Sequence, residues 1–231
     1  MAKPESSFIN MLLALAGVSL LAAAALASVY SLTEAPIAAS RTAGQQRAVK
    51  EVLPPHERLD EPEKVEVENL GTFEIYRAYD GDRFAGAAVT SFSRKGFNGE
   101  IKIMVGFDEQ GLITGYSVLE QKETPGLGTK IVEWFKPAVQ VKKSLLERLT
   151  GYEASSGGRN NSIIGKNPAL DALTVAQDGG EVDAITAATI SSRAFLEAVR
   201  QAYAVYANAP GAIDAASGAT SPADAGREEG M

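Results

Sequence analysis

Two short segments carry the residue types that could do chemistry. Residues 183–192 read Asp-Ala-Ile-Thr-Ala-Ala-Thr-Ile-Ser-Ser, a strand-like end running through small residues into an apolar-periodic helix expected from Ser191. Backbone N–H groups at a helix start are unpaired and the dipole there is positive, while Ala187 and Ala188 let an anion approach the backbone, so the place suits a phosphate. The same residues also read as an ordinary Ser/Thr helix cap, and local physics leaves the choice open. The second segment, Glu123-Thr124-Pro125-Gly126-Leu127-Gly128 with Lys130 just after, is a Pro-Gly turn flanked by a carboxylate and an ammonium. Lys130 reads equally as a solvated helix residue, and Trp134 and Phe135 read as core before they read as stacking partners.

Composition removes most other chemistries. The 231 residues include no cysteine, which excludes disulfides, thiolate-held clusters and a cysteine nucleophile. The one histidine, His56, follows Pro54-Pro55 in a linker-like stretch, so a multi-histidine metal site is impossible and a Ser/His/Asp triad has no credible base. A formal charge of −7 argues against a nucleic-acid partner, whose phosphates reward clustered Lys and Arg. The chemistry therefore belongs to a bound cofactor, and no catalytic residue is expected.

The elements that must position these segments follow from hydropathy and period. Residues 6–33 contain no charged side chain, and Phe8 to Val29 is long enough, at about 1.5 Å per residue, to cross a hydrocarbon core of about 30 Å. Residues 1–33 are read as a transmembrane anchor in the lipid bilayer; the alternative is a cleaved signal peptide with its small-x-small site at Ala25-Leu26-Ala27. Lys3 on one flank and Glu34 on the other predict a cytoplasmic amino terminus and an extracytoplasmic bulk. Residues 34–63 are expected as stalk and linker: a helix-rich run with Pro36 near its start, stopping at Pro54-Pro55. Alternating runs at 64–69, 72–79, 84–93, 100–107 and 112–121, separated by turns such as Asp80-Gly81-Asp82, predict a mainly antiparallel sheet. A mixed helical stretch is expected over 130–149 and a loop over 155–161. A hairpin turning at Gly179-Gly180 is expected within 173–185, and an amphipathic helix over 191–207 burying Phe195, Leu196, Val199, Ala202, Tyr203 and Tyr206. Residues 208–231, rich in Ala, Gly, Ser and acids, read as a disordered tail.

With these segments in hand, Asp183, Thr186, Ala188 and Thr189 resemble, position by position, the flavinylation motif D-x-x-[ST]-[GA]-A-T, in which a threonine hydroxyl carries FMN through a phosphoester. Ala187 stands where glycine is commoner. Glu123 to Gly128 with Lys130 resembles the second hallmark of the same family. Two motifs in order, one amino-terminal span and a Pro-containing stalk make residues 5–207 similar to the G subunits of the Rnf electron-transport complex. The C subunit of the sodium-translocating NADH:quinone reductase shares the domain but usually has a longer insertion after its span. A membrane-anchored binding module without flavin is the third reading.

The resemblance implies an α+β fold, with a single N-terminal transmembrane helix followed by one FMN-binding domain, residues 64–207, built on a mainly antiparallel sheet with flanking helices. It implies a redox subunit with no independent catalytic activity, in a bacterial inner-membrane complex that couples electron transfer between ferredoxin and NAD to ion translocation. FMN is expected on Thr189, with Thr186, Ala187, Ala188 and Ser191 around the phosphate and Glu123, Thr124, Gly126, Leu127 and Lys130 near the ring. A separate flavin transferase is expected to attach it and to read Asp183; the other partners are fellow subunits. Asp214 to Ser221 repeats the pattern with Thr220 at the acceptor position, but no apolar helix follows to hold a phosphate, so one flavin at Thr189 is expected.

Overall fold

A computed structural model describes residues 8–67, 70–137 and 160–208. Lys3 and Glu5, the 138–149 end of the expected helix, most of the loop after Ser155 and the tail with Thr220 lie outside the described residues. The chain divides into two compact units, Met1–Gln46 and Arg47–Met231. Helix α1, Phe8–Val52, begins in the first and ends in the second. It is long and apolar enough to cross a membrane by length and composition. Instead of a span followed by a separate stalk helix, one helix runs through Pro36. A proline costs its helix one N–H bond. Hydroxyls in the preceding turns also back-bond to the helix, Thr33 Oγ1 donating to the Val29 carbonyl at 2.8 Å.

The second unit is an antiparallel sheet. Its strands are β1 Arg58–Leu59, β2 Glu63–Val67, β3 Gly71–Asp80, β4 Arg83–Ser93, β5 Ile101–Asp108 and β6 Ile113–Glu120. Their order is β1-β3-β4-β5-β6, with β2 pairing β3 as well. Five expected strands thus appear within about two residues of their predicted ends, because alternation and Gly turns fix them locally. The stretch expected as linker is partly built into this unit: Arg58 and Leu59 pair with Tyr79 and Ala78, and the last turn of α1 is buried.

The two sheet faces are closed differently. On one, Ala48, Val49, Val52 and Leu53 at the end of α1 meet Ala78, Ala88 and Met104. On the other lies the main core, covered by α3, Thr189–Asn208, which buries Phe195, Leu196, Val199, Ala202 and Tyr206. Phe195 stacks on Phe135 at 4.6 Å and meets the edge of Tyr116 at 4.8 Å. The Tyr116 hydroxyl donates to the Ile131 carbonyl and accepts from the Phe135 N–H, which ties the helical segment after Gly128 to β6. Burial first of all drives the Tyr116 phenol well above its ordinary pKa.

Three expected elements differ. The mixed helix from 130 is a 3₁₀ turn, Gly128–Lys130, running into a four-residue α2, Ile131–Trp134. Residues 173–185 form no antiparallel hairpin. A 3₁₀ turn spans Ala176–Asp178, and Val175 and Val182 make an isolated parallel bridge. Alternation was too short there to specify strands, and Leu173, Val175, Val182 and Ile185 enter the core singly. Helix α3 starts at Thr189, two residues before the expected Ser191.

Candidate functional site

The segment 183–192 is anchored at both ends and free in the middle. Asp183 is half-buried; its N–H donates to the Asn160 carbonyl at 3.0 Å and its carboxylate accepts the Asn160 N–H at 2.9 Å. The Trp134 indole N–H donates to the Asp183 carbonyl at 2.9 Å. Ile185 enters the core, and Ser192 closes the loop from the other side. The Ser192 hydroxyl accepts the Ile185 N–H and donates to the Ala188 carbonyl, both at 3.0 Å. Between these anchors Thr186 and Ala187 are exposed and Thr189 is half-buried. Ala187 has φ +62°, and among the described residues it is the one non-glycine in the left-handed region. That conformation costs an L-residue about 1–2 kcal/mol. The glycine commoner at this place in the motif therefore answers a backbone demand, not only a demand for small size.

No hydroxyl caps α3. The residue before its first turn is Ala188, a poor N-cap, and the Ser191 and Ser192 side chains are engaged elsewhere. The N–H groups of Thr189, Ile190 and Ser191 have no partner among the described residues. Neither does the Thr189 hydroxyl. The cap reading therefore fails on geometry, and what stands at the helix start is a set of orphan donors beside a threonine oxygen. These residues fit a phosphoryl group: the N–H donors suit its oxygens, and the Thr189 hydroxyl stands beside them.

Glu123 joins this helix start to the Pro-Gly turn. It is 4% exposed; one carboxylate oxygen accepts the Ser191 hydroxyl at 2.5 Å and the other accepts the Asn98 N–H at 3.2 Å. Gly128 sits against the pair so closely that a methyl group on it would lie 2.6 Å from Ser191 Oγ and 2.7 Å from Glu123 Oε2. Glu123 is thus a tie between segments. Thr124 accepts a long 3.5 Å bond from the Asn98 side chain, and its carbonyl accepts the N–H groups of Leu127 and Thr129. Gly126, at φ +76°, makes the turn, Leu127 is left 39% exposed, and Lys130 is exposed with no ion pair among the described residues.

Glu123, Thr124 and Ser191 are therefore brought together, with Gly126, Leu127 and Lys130 on the same turn. Asp183 and Thr186 line an open cleft of about 440 Å³ together with Trp134, Ala176, Gln177 and Ala184. Sequence reasoning missed Asn98 and Asn160, and it read Gly128 in its motif without the close packing against Glu123 and Ser191. Their roles are backbone-level and long-range, and the glycine signalled only a turn. One flank of α3 is held by ion pairs. The Arg193 guanidinium, hydrogen-bonded to Asp178, holds that carboxyl below its ordinary range. At Glu197 burial works upward, but bonds from Lys95 and Ser93 outweigh it and lower the pKa.

Comparison with known proteins places the chain in a family. The sequence model of the FMN-binding domain matches residues 96–204. Over 196 residues the chain is 33% identical to the G subunit of the ion-translocating oxidoreductase complex of Aliivibrio fischeri strain MJ11, covering 80% of this chain and 84% of the relative. The corresponding protein of Shewanella amazonensis, of the same name, is 30% identical over 203 residues, covering 84% and 86%. That of Vibrio parahaemolyticus is 38% identical over 113 residues, covering 49% and 45%.

Proposed function

The chain belongs to the family of G subunits of Rnf-type ion-translocating oxidoreductase complexes, and on that footing we propose that it is a membrane-anchored electron-transfer subunit carrying FMN in phosphoester linkage to Thr189. The observation that carries the reading is the uncapped start of α3. Thr189 occupies its first position with a hydroxyl that bonds nothing else among the described residues, and three N–H groups without partners stand beside it. Bound FMN supplies one-electron chemistry at its isoalloxazine ring. The chain's residues hold and shield it. Thr189 Oγ1 is the anchor, the Thr189, Ile190 and Ser191 N–H groups take phosphoryl oxygens, and the exposed Thr186 and Ala187 with buried Ala188 keep the approach open. Glu123 fixes the position of Ser191, and Thr124, Gly126, Leu127 and Lys130 border the ring. No general base is called for.

Within the complex the subunit passes electrons between ferredoxin and NAD on the way to ion movement, together with the other subunits. A flavin transferase, with FAD as donor, installs the group and reads Asp183: the Thr189 hydroxyl displaces AMP at the FMN phosphorus, so the pyrophosphate bond breaks as the phosphoester forms. Helix α1 anchors the chain in the inner membrane, amino terminus in the cytoplasm and FMN domain outside; a cysteine placed in the tail of this cysteine-free chain should react with an impermeant thiol reagent in intact cells.

The deciding experiment is intact mass and in-gel flavin fluorescence of the denatured chain, made in a host that expresses the transferase. Thr189→Ala should abolish the covalent flavin, and fluorescence retained in that variant refutes the assignment. Asp183→Ala should lower occupancy. Asp183→Asn keeps an acceptor for the Asn160 N–H, so a similar loss there separates recognition of the charge from support of the loop.

A further inference from the structure

Three segments meet at the buried carboxylate of Glu123: the β4–β5 connection at 94–100, the turn at 122–130, and the first turn of α3. Each sends one large apolar side chain into solvent. Phe97 is 63% exposed, Leu127 39% and Ile190 48%. Single exposed apolar residues are ordinary, but these three stand on separate segments that one buried group holds together. The charge around them runs against the rest of the molecule. These segments carry Arg94, Lys95, Lys122, Lys130 and Arg193 against two carboxylates, Glu100 and the buried Glu123, in a chain whose net charge is −7. Arg94, Lys95 and Arg193 are paired with Glu100, Glu197 and Asp178. Lys122 and Lys130 are exposed and have no ion pair among the described residues.

We propose that this face, with Phe97, Leu127 and Ile190 at its centre and Lys122 and Lys130 on its rim, docks an acidic surface of another protein subunit that exchanges electrons with the group on Thr189. The proposal rests on the attachment reading above and adds the chemistry of the partner. A small apolar centre with a charged rim suits brief, steered contacts, because opposite charge speeds encounter while a limited apolar area lets the partners separate. A protein is favoured over a lipid surface because α1 already supplies the membrane segment, and because Ile190 adjoins Thr189, so whatever seats there lies next to the electron carrier.

The test compares amine acetylation of native membranes containing the assembled complex with that of the purified full-length flavoprotein, read by peptide mass spectrometry. Lys122 and Lys130 should be labelled several-fold less in the complex, with Lys64 on the exposed edge strand β2 unchanged. Salt at about 0.5 M, which screens exposed charge within a few Å, should restore the labelling. A carbodiimide should join Lys122 or Lys130 to an Asp or Glu of another subunit, forming an amide as the activating group leaves as a urea. Lys122→Glu should keep the flavin band on a denaturing gel and lose that cross-link. Equal labelling in the two samples overturns the proposal, as does protection of the purified chain by phosphatidylglycerol vesicles alone. The flavin band is read independently of lysine reactivity, so failure of attachment at Thr189 and failure of docking give different results.

Discussion

The two faces of the sheet are closed by opposite means. On the α1 face a small apolar cluster is joined by close backbone approach. The Thr114 hydroxyl donates to the Val52 carbonyl at 2.5 Å, satisfying one of the orphan acceptors at the helix end. A methyl group on Gly106 would overlap that same carbonyl, and one on Gly115 would stand 3.1 Å from Val52 Cα. On the α3 face side chains fill the interior, and the helix start is left with a strained alanine and with donors and a hydroxyl that have no partner among the described residues. The difference teaches where this molecule can tolerate an added group. The seat of α1 has no space to give, whereas the start of α3 keeps polar groups unspent.

Four perturbations break or sharpen that contrast, in falling order of size. Gly106→Ala should destabilise the domain by about 3 kcal/mol, because the neighbour it meets is backbone and cannot rotate away. A denaturant midpoint unchanged from wild type would remove the seat from the account. Glu123→Ala should cost about 2 kcal/mol by leaving the buried Ser191 hydroxyl, and the Asn98 N–H as well, without an acceptor. Glu123→Gln, which keeps an acceptor, should cost less, and equal losses would mean that the charge matters more than the tie. Ala187→Gly should stabilise by about 1 kcal/mol, since glycine accepts φ +62° without the Cβ clash. A fall in melting temperature there would show that the strain is not held in the folded loop.

The smallest effect is alkaline and should be shared by the faces. Burial first, then the neighbouring charges of Asp108, Tyr203 and Glu109, push Tyr206 up to about 12 on the α3 face. Burial, then Glu74, does the same to Tyr76 on the other, also to about 12. A phenol raised above its unfolded value of about 10 contributes stability that is intact below pH 10 and lost as pH climbs toward 12. The melting temperature should therefore fall between about pH 10 and pH 12, and Tyr206→Phe or Tyr76→Phe should each flatten part of that fall. A fall centred below pH 9 would point to another group.

Much of the fold was legible because its signals are local. Period-two alternation placed β2 to β6, and the apolar periodicity of 191–207 placed α3 to within two residues of its start. The end of α1 was not legible as part of the domain. Ala48, Val49 and Val52 read as one more turn of a stalk, and Gly106 and Gly115 show their purpose only once β5 and β6 are paired beneath that turn. The parallel bridge between Val175 and Val182 was likewise invisible, because two isolated apolar residues specify no register.

At the site, the sequence by itself determined which chemistry was open: no thiol, no histidine cluster, and a run of hydroxyls and small residues at a helix start. It did not determine which hydroxyl stays free. Thr189, Ser191 and Ser192 are chemically similar neighbours, and only folding separates them. Ser191 is taken by Glu123, 68 residues earlier in the chain, and Ser192 by the backbone of Ile185 and Ala188, while Thr189 is left without a partner among the described residues. Hydroxyl identity is written in the chain, but a hydrogen bond needs its partner within about 3 Å, and that distance is set only when remote segments close on one another.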